Sequence, residues 1–211
     1  MAAAVPPALD NPAVARIVRQ AREHFFTHGY SQCTMDDLAA ELGMSKKTLY
    51  VHFASKEAIM RAVIEQLGGE VRADADSLFA NRSLSFAEKL HGFAEGMVRR
   101  LAVLDPRTLR DLQRFAPGLY ALTVEMRQKN IPYIFGRFIT EGQRAGKVRP
   151  DVDPIFAVEF FLHAMQGMVS PGTLDRLQLA PRDLLPRAIG LFFGGLLTPA
   201  GRKEHEKLFV R

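Results

Sequence analysis

Cysteine occurs once in the 211 residues, at Cys33, so no disulfide can form within the chain. The N-terminal stretch, MAAAVPPALDNP, has neither the positive start nor the apolar centre of a secretory signal. Both features point to a reducing, cytoplasmic setting. Long apolar runs are also missing. The longest, AIGLFFGGLL from Ala188 to Leu197, is about half of the ~20 residues that a membrane-spanning helix needs, so no membrane partner is expected. Nucleotide- and hydrolase-type signatures are absent: there is no GxGxxG, no phosphate-binding loop with Lys-Ser/Thr and no GxSxG. His24 with His28, and Glu159 with His163, stand at i, i+4 on helical stretches. Each pair supplies two groups where a metal site requires three or four, so no metal, no cofactor and no catalysed reaction are expected.

What remains is ordinary globular material, 47% hydrophobic and 24% charged, long enough for one or two domains. The net charge of +5 invites a nucleic-acid reading, but its placement complicates that inference. Residues 1–60 hold six basic and six acidic residues, while residues 61–211 hold 22 and 17. The informative window is local: Ser45 to Lys56 carries Lys46, Lys47 and Lys56 and no acid.

Apolar periodicity is helical throughout, and strand-like alternation is missing. Residues 1–10, with two prolines and four alanines, read as a mobile tail. Asn11 as N-cap and Pro12 at the first helical position open a helix carrying Val14, Ile17, Val18, Ala21 and Phe25, which Gly29 closes. Thr34 caps a short second helix with Asp36 and Asp37 in its first turn, stopped by Gly43. Ser45 caps a third over 46–53, and Ser55 a fourth that Gly68 and Gly69 should weaken or end. Further helices are expected over 85–104, 106–115, 117–145, 153–169 and 181–197, about nine in all, with Pro132 and Pro186 as kinks or boundaries. The fold class is all-α: residues 11–60 form an N-terminal helix-turn-helix domain and residues 61–211 a larger helical domain.

The turn Gly43-Met44-Ser45 between two short helices is helix-turn-helix chemistry: glycine permits positive φ, and serine satisfies free N–H groups of the next helix. With Leu49 and Phe53 inward, Lys47, Thr48, Tyr50 and Val51 fall on the outward arc, flanked by Lys46 and His52. A short, polar, cationic helix face suits the DNA major groove, and Lys56 adds a charge able to hold a phosphate.

These residues resemble the DNA-binding domain of the tetracycline-repressor (TetR/AcrR) family of transcriptional regulators. The resemblance runs through His28-Gly29-Tyr30, Thr34-Met35-Asp36-Asp37-Leu38-Ala39, Gly43-Met44-Ser45, Thr48-Leu49-Tyr50, His52-Phe53 and Ser55-Lys56-Glu57, about 45 residues in total. It implies base or phosphate contacts for Lys46, Lys47, Thr48, Tyr50 and His52, with Thr34 and Lys56 on the DNA backbone and Ser45 in the same DNA-binding set. Cys33 stands where that family often has threonine or alanine, and Lys47 where many members carry a small residue, so operator sequence does not transfer.

The resemblance also implies a repressor that is a homodimer on a palindromic operator in double-stranded DNA and is released by a small-molecule effector. Its implied effector pocket, in the C-terminal region, falls to Phe93, Met97, Phe115, Tyr120, Phe135, Phe138, Phe160 and Met165, which suit an apolar or amphipathic ligand. Small residues on the last two long helices let helices approach closely, so dimerisation is expected there through Phe156, Phe160, Phe192 and Leu196. The alternative from another class is a helical ligand-binding or scaffold protein whose N-terminal module pairs with protein. Cys33 reads as a buried small residue.

Overall fold

The computed structural model describes residues 11–209 and contains eleven helices among them, with no strand beyond an isolated bridge between Val148 and Leu197. The tail expected over residues 1–10 lies outside the described residues. In chain order the helices are α1 (Pro12–His28), α2 (Met35–Glu41), α3 (Lys46–His52), α4 (Lys56–Ala80), α5 (Phe86–Leu101), α6 (Pro106–Phe115), α7 (Pro117–Arg144), α8 (Pro154–Met168), α9 (Pro171–Leu177), α10 (Pro181–Leu196) and α11 (Pro199–Phe209). Two of these, α9 and α11, were not expected. Pro171 and Pro199 each stand as the first residue of a helix, where a missing N–H costs nothing. The Thr198 hydroxyl accepts from Gly201 N–H at 3.1 Å and so caps α11.

The chain divides into two compact units. The first takes the chain up to Leu67 and also Val103–Val124. The second takes Gly68–Ala102 and the chain from Glu125 onward. This differs from a cut between residues 60 and 61, and the reason is α6. Its Thr108, Leu109 and Leu112 are buried, and Thr108 Oγ1 donates to Phe25 O at 3.1 Å while Asp105 N–H donates to Phe26 O at 2.8 Å. Those carbonyls belong to the last turn of α1, where helical donors run out; Phe25 O also accepts Gly29 N–H at 3.0 Å. The Asp111 carboxylate accepts Ser31 N–H at 2.7 Å. α6 therefore closes the C-terminal end of α1.

In the first unit, α1 buries Val14, Ile17, Val18, Ala21, Phe25 and Phe26, the face its periodicity announced. Gly29 ends it at φ 84, and a Cβ there would also sit 3.2 Å from the Asp111 carboxylate. The second unit is built around phenylalanine. Phe79, Phe86, Phe93, Phe135, Phe138, Phe161, Phe192 and Phe193 form one network of rings with centroids 4.3 to 6.4 Å apart. Phe138 and Phe193 at its centre are fully buried.

Gly68 and Gly69 do not end α4, which runs unbroken through both. Within the second unit Gly68 marks a close approach. A Cβ there would stand 2.9 Å from Met126 Sδ of α7, and Asn130 donates its side-chain N–H to Gly68 O at 2.8 Å. Pro132 and Pro186 are likewise accommodated inside α7 and α10.

Candidate nucleic-acid interface

The segment α2–turn–α3 is fixed by its own caps. Thr34 Oγ1 accepts Asp37 N–H at 3.1 Å while Asp37 returns a carboxylate oxygen to Thr34 N–H at 2.9 Å, a reciprocal capping box. The hydrogen bonds from Thr34 hold the Asp37 carboxyl below the usual carboxylate range. Gly43 takes φ 62, Met44 N–H donates to Ala39 O, and Ser45 Oγ accepts Thr48 N–H at 3.1 Å to start α3. Leu38, Leu42, Leu49 and Phe53 are all buried, so each helix presents one face to the core and one outward. Arg16 of α1 donates to Leu42 O at 2.7 Å, and His24 pairs with Glu41, fastening α2 to α1.

On α3, Lys46, Lys47, Thr48, Tyr50 and Val51 are exposed and His52 is half-buried. The expected surface is therefore presented by one helix, but several of its polar groups are already engaged. Thr34 Oγ1 donates to Asp37 Oδ2 at 2.7 Å, and Ser45 shares a 2.8 Å hydrogen bond with Thr48 Oγ1. The Lys46 ammonium lies 2.8 Å from an Asp36 carboxylate oxygen across the α2–α3 corner, which raises its pKa. Lys47 makes no ion pair among the described residues. Asp36 is a residue that sequence reasoning assigned only to the helix dipole. Asp36→Asn is expected to release Lys46, tighten binding to mixed-sequence duplex DNA about three- to ten-fold and steepen the log K against log salt slope by about one per protomer. Anisotropy titrations at four salt concentrations check it, and an unchanged slope rejects it.

Lys56 is held within the module itself. Sequence and resemblance place it on a phosphate, but its Nζ donates to Tyr30 O at 2.9 Å and to Cys33 O at 2.8 Å, and lies 4.3 Å from the centre of the Tyr30 ring. Those carbonyls sit in the turn just before α2, whereas Lys56 opens α4 just after α3. The ammonium thus ties together the two ends of the helix-turn-helix. Charge-assisted bonds of this kind contribute roughly 1.5–3 kcal/mol. Lys56→Met is expected to lower the thermal midpoint by several degrees while leaving the salt slope of DNA binding unchanged. A slope shallower by about one per protomer would restore the phosphate contact.

Cys33 is buried, its thiol donates to Gly29 O at 3.1 Å, and burial pushes its pKa up to about 11. It is a packed thiol, as expected. Burial likewise takes the Tyr30 hydroxyl up to about 12.

The expected effector residues are divided between the two units. Phe115 and Tyr120 lie in the first unit, and Phe115 is 55% exposed. Of the six in the second unit, Phe93, Phe135 and Phe138 fill the ring network, Met165 is buried, Met97 is half-buried, and Phe160 is 61% exposed. A cavity of 280 Å³ opens at the start of α11, lined by Leu197, Pro199, Arg202, Lys203 and Glu206, and none of the eight residues touches it. The interface set divides too. Phe156 and Phe160 stand exposed on α8, but Phe192 is buried against Phe135, Phe161 and Phe193, and Leu196 is half-buried. Leu191, one position before Phe192, is 84% exposed. Among the described residues no cluster of three or more His, Cys, Asp or Glu side chains is placed to hold a metal ion, and no helix is long and apolar enough to cross a membrane.

The first unit is thus a helix-turn-helix module of the kind that presents its second short helix to DNA. Residues 17–63 match the family model described as bacterial regulatory proteins, tetR family. The chain is 25% identical over 163 residues to an uncharacterized HTH-type transcriptional regulator, YvaF, of Bacillus subtilis, covering 77% of this chain and 85% of that one. It is 23% identical to the HTH-type transcriptional repressor DhaR of a Mycobacterium species, over 92% of this chain and 98% of the relative. The solved structure of the regulatory protein TetR from Rhodobacter sphaeroides superposes with a TM-score of 0.64 at 21% identity, over 90% of this chain and all of that one. Residues 17–63 thus match the tetR-family helix-turn-helix module, and over most of its length the chain is similar to helix-turn-helix transcriptional regulators.

Proposed function

We propose that the chain is a cytoplasmic repressor that binds a palindromic operator as a homodimer and leaves it when a small apolar or amphipathic effector binds the second unit. The observation that carries the reading is the capped α2–turn–α3 motif with α3 turned outward and cationic. Lys47, Thr48, Tyr50 and His52 touch bases and phosphates, and Lys46 joins them when it leaves Asp36. Repression is the role that the similar DhaR protein carries in its name.

Dimerisation is supported by the outward faces of α8 and α10. Ile155, Phe156 and Phe160 are 77%, 71% and 61% exposed, and Leu191 is the most exposed large apolar residue described. Gly167 on α8 and Gly190, Gly194 and Gly195 on α10 have open space where a Cβ would go, which leaves room for a second helix to come close. Such a face is what an obligate dimer buries, and a two-fold pair of reading helices suits half-sites about one DNA turn, ~34 Å, apart.

The effector switch rests on continuity of the chain. α4 and α7 both run without a break through the points where the units divide. A tilt of α4 moves α3, which directly precedes it along the chain, and spacing between the reading helices is what an operator senses. An effector preferring the released state by about 3 kcal/mol weakens DNA binding roughly 150-fold, and linkage makes DNA weaken the effector equally. The test of the whole reading is a gel shift of the full chain on the intergenic DNA upstream of its own gene, against unrelated duplex as competitor. A shift that survives excess competitor is expected. Loss of the shift at equal competitor rejects sequence-specific binding.

A further inference from the structure

Val51 is 76% exposed, the most exposed large apolar residue among those described in the first unit. Its direction follows from helix geometry. At about 100° per residue, Lys47 and Val51 lie at about 160° and 200° from buried Leu49, on either side of the outward pole of α3. Tyr50 and Thr48 fall to the sides, and Lys46 and His52 lie at the two flanks of this face, Lys46 exposed beside Asp36 and His52 half-buried. The ridge that α3 offers is therefore one ammonium and one isopropyl group, a turn apart.

Nothing within the chain accounts for that isopropyl group. It does not belong to the buried set of the unit, and a β-branched residue is a poorer helix former than alanine. The other exposed residues of α3, Tyr50 apart, are polar or charged, so the valine stands in a surface otherwise suited to water and phosphate. The major groove offers such a side chain one carbon-rich partner, the 5-methyl group of thymine.

We infer that Val51 is a specificity-determining residue that reads a thymine methyl in each half-site, beside a guanine read by Lys47. The inference rests on α3 being the DNA-reading helix, as proposed above. It also fixes a spacing. Four residues of helix rise about 6 Å, close to two base steps of ~3.4 Å, so the thymine lies about two base pairs from the guanine. Lysine reaches guanine O6 and N7, which together present the acceptor pair that no other base shows.

The test uses the full chain and a duplex enriched on it from a random-sequence library. Each thymine of the enriched duplex is replaced in turn by uracil, which removes the methyl and nothing else, and affinity is read by anisotropy at fixed salt. One thymine per half-site is expected to be sensitive, about four-fold when one is replaced and about fifteen-fold for both, the worth of one buried methyl-sized group at each site. Val51→Ala is expected to bind thymine and uracil duplexes alike while keeping its preference at the guanine, which Lys47→Ala loses. Unchanged thermal midpoint of Val51→Ala shows that the fold is intact. Two results overturn the inference with DNA binding itself standing: no uracil-sensitive thymine in the wild type, or a sensitivity that persists in Val51→Ala. Failure to enrich any sequence overturns the reading of α3 as well, and is told apart by the absence of saturable duplex binding.

Discussion

Phe156→Ser with Phe160→Ser is expected to leave the chain monomeric at micromolar concentration and to weaken operator binding at least a hundred-fold. Both rings stand in the open on one face of α8, 71% and 61% exposed, at i, i+4. In a two-fold interface each is buried twice, so four rings are lost per dimer. At about 2 kcal/mol for burying each side chain, the loss is roughly 8 kcal/mol, more than most micromolar dimers hold in reserve. The protomer should fold normally, since neither ring contributes to the buried network. Sedimentation velocity gives the answer directly. A stable dimer in the double variant would move the interface elsewhere, and an unchanged thermal midpoint of the monomer would confirm that only association was touched. Leu191→Ser alone is expected to act in the same direction, whereas Phe192→Ser should unfold the chain before it affects association.

Phe138→Ala is expected to cost about 3–5 kcal/mol of stability, a fall in thermal midpoint of roughly 6–20 °C for a chain of this size. Phe138 is fully buried and its ring meets those of Phe79, Phe86, Phe93, Phe135 and Phe193. Removing it leaves a hole bounded by side chains that hold one another in place, so collapse into the space is limited. Calorimetry of the variant checks the magnitude. A drop of less than 3 °C would mean that the network is loose enough to receive a guest, which would move the effector site back among these rings.

The caps and apolar faces of α1, α2 and α3 were legible because they are local: Thr34 with Asp37, Gly43 with Ser45, and a period that repeats within one helix. Failure began where the answer lay across the chain. Lys56 has the right charge for a phosphate, but its partners are carbonyls that only the turn at Tyr30 to Cys33 brings within reach. Gly68 and Gly69 read as a break because glycine weakens an isolated helix, while Met126 and Asn130 of α7 supply the reason for keeping one there. Phe192 and Leu191 differ by one position and about 100° of rotation. Size favoured the phenylalanine for an interface, yet the structure turns the smaller residue outward. No pattern within α10 decides that rotation, since both sides of the helix carry apolar residues.

The seam between α1 and α6 bears on how such regulators can be recombined. A reading head exchanged by joining two chains at residue 60 would carry α1 without the Thr108, Asp105 and Asp111 groups that complete its end. The graft would present Phe26 O and the Ser31 N–H to whatever groups the host has at those places, and would leave Phe25 O with Gly29 N–H alone. A productive swap must transplant 103–124 along with the N-terminal residues, two pieces in one exchange. Divergence of operator preference in this chain is therefore easiest by point substitution on the outward ridge of α3, and hardest by shuffling of whole modules.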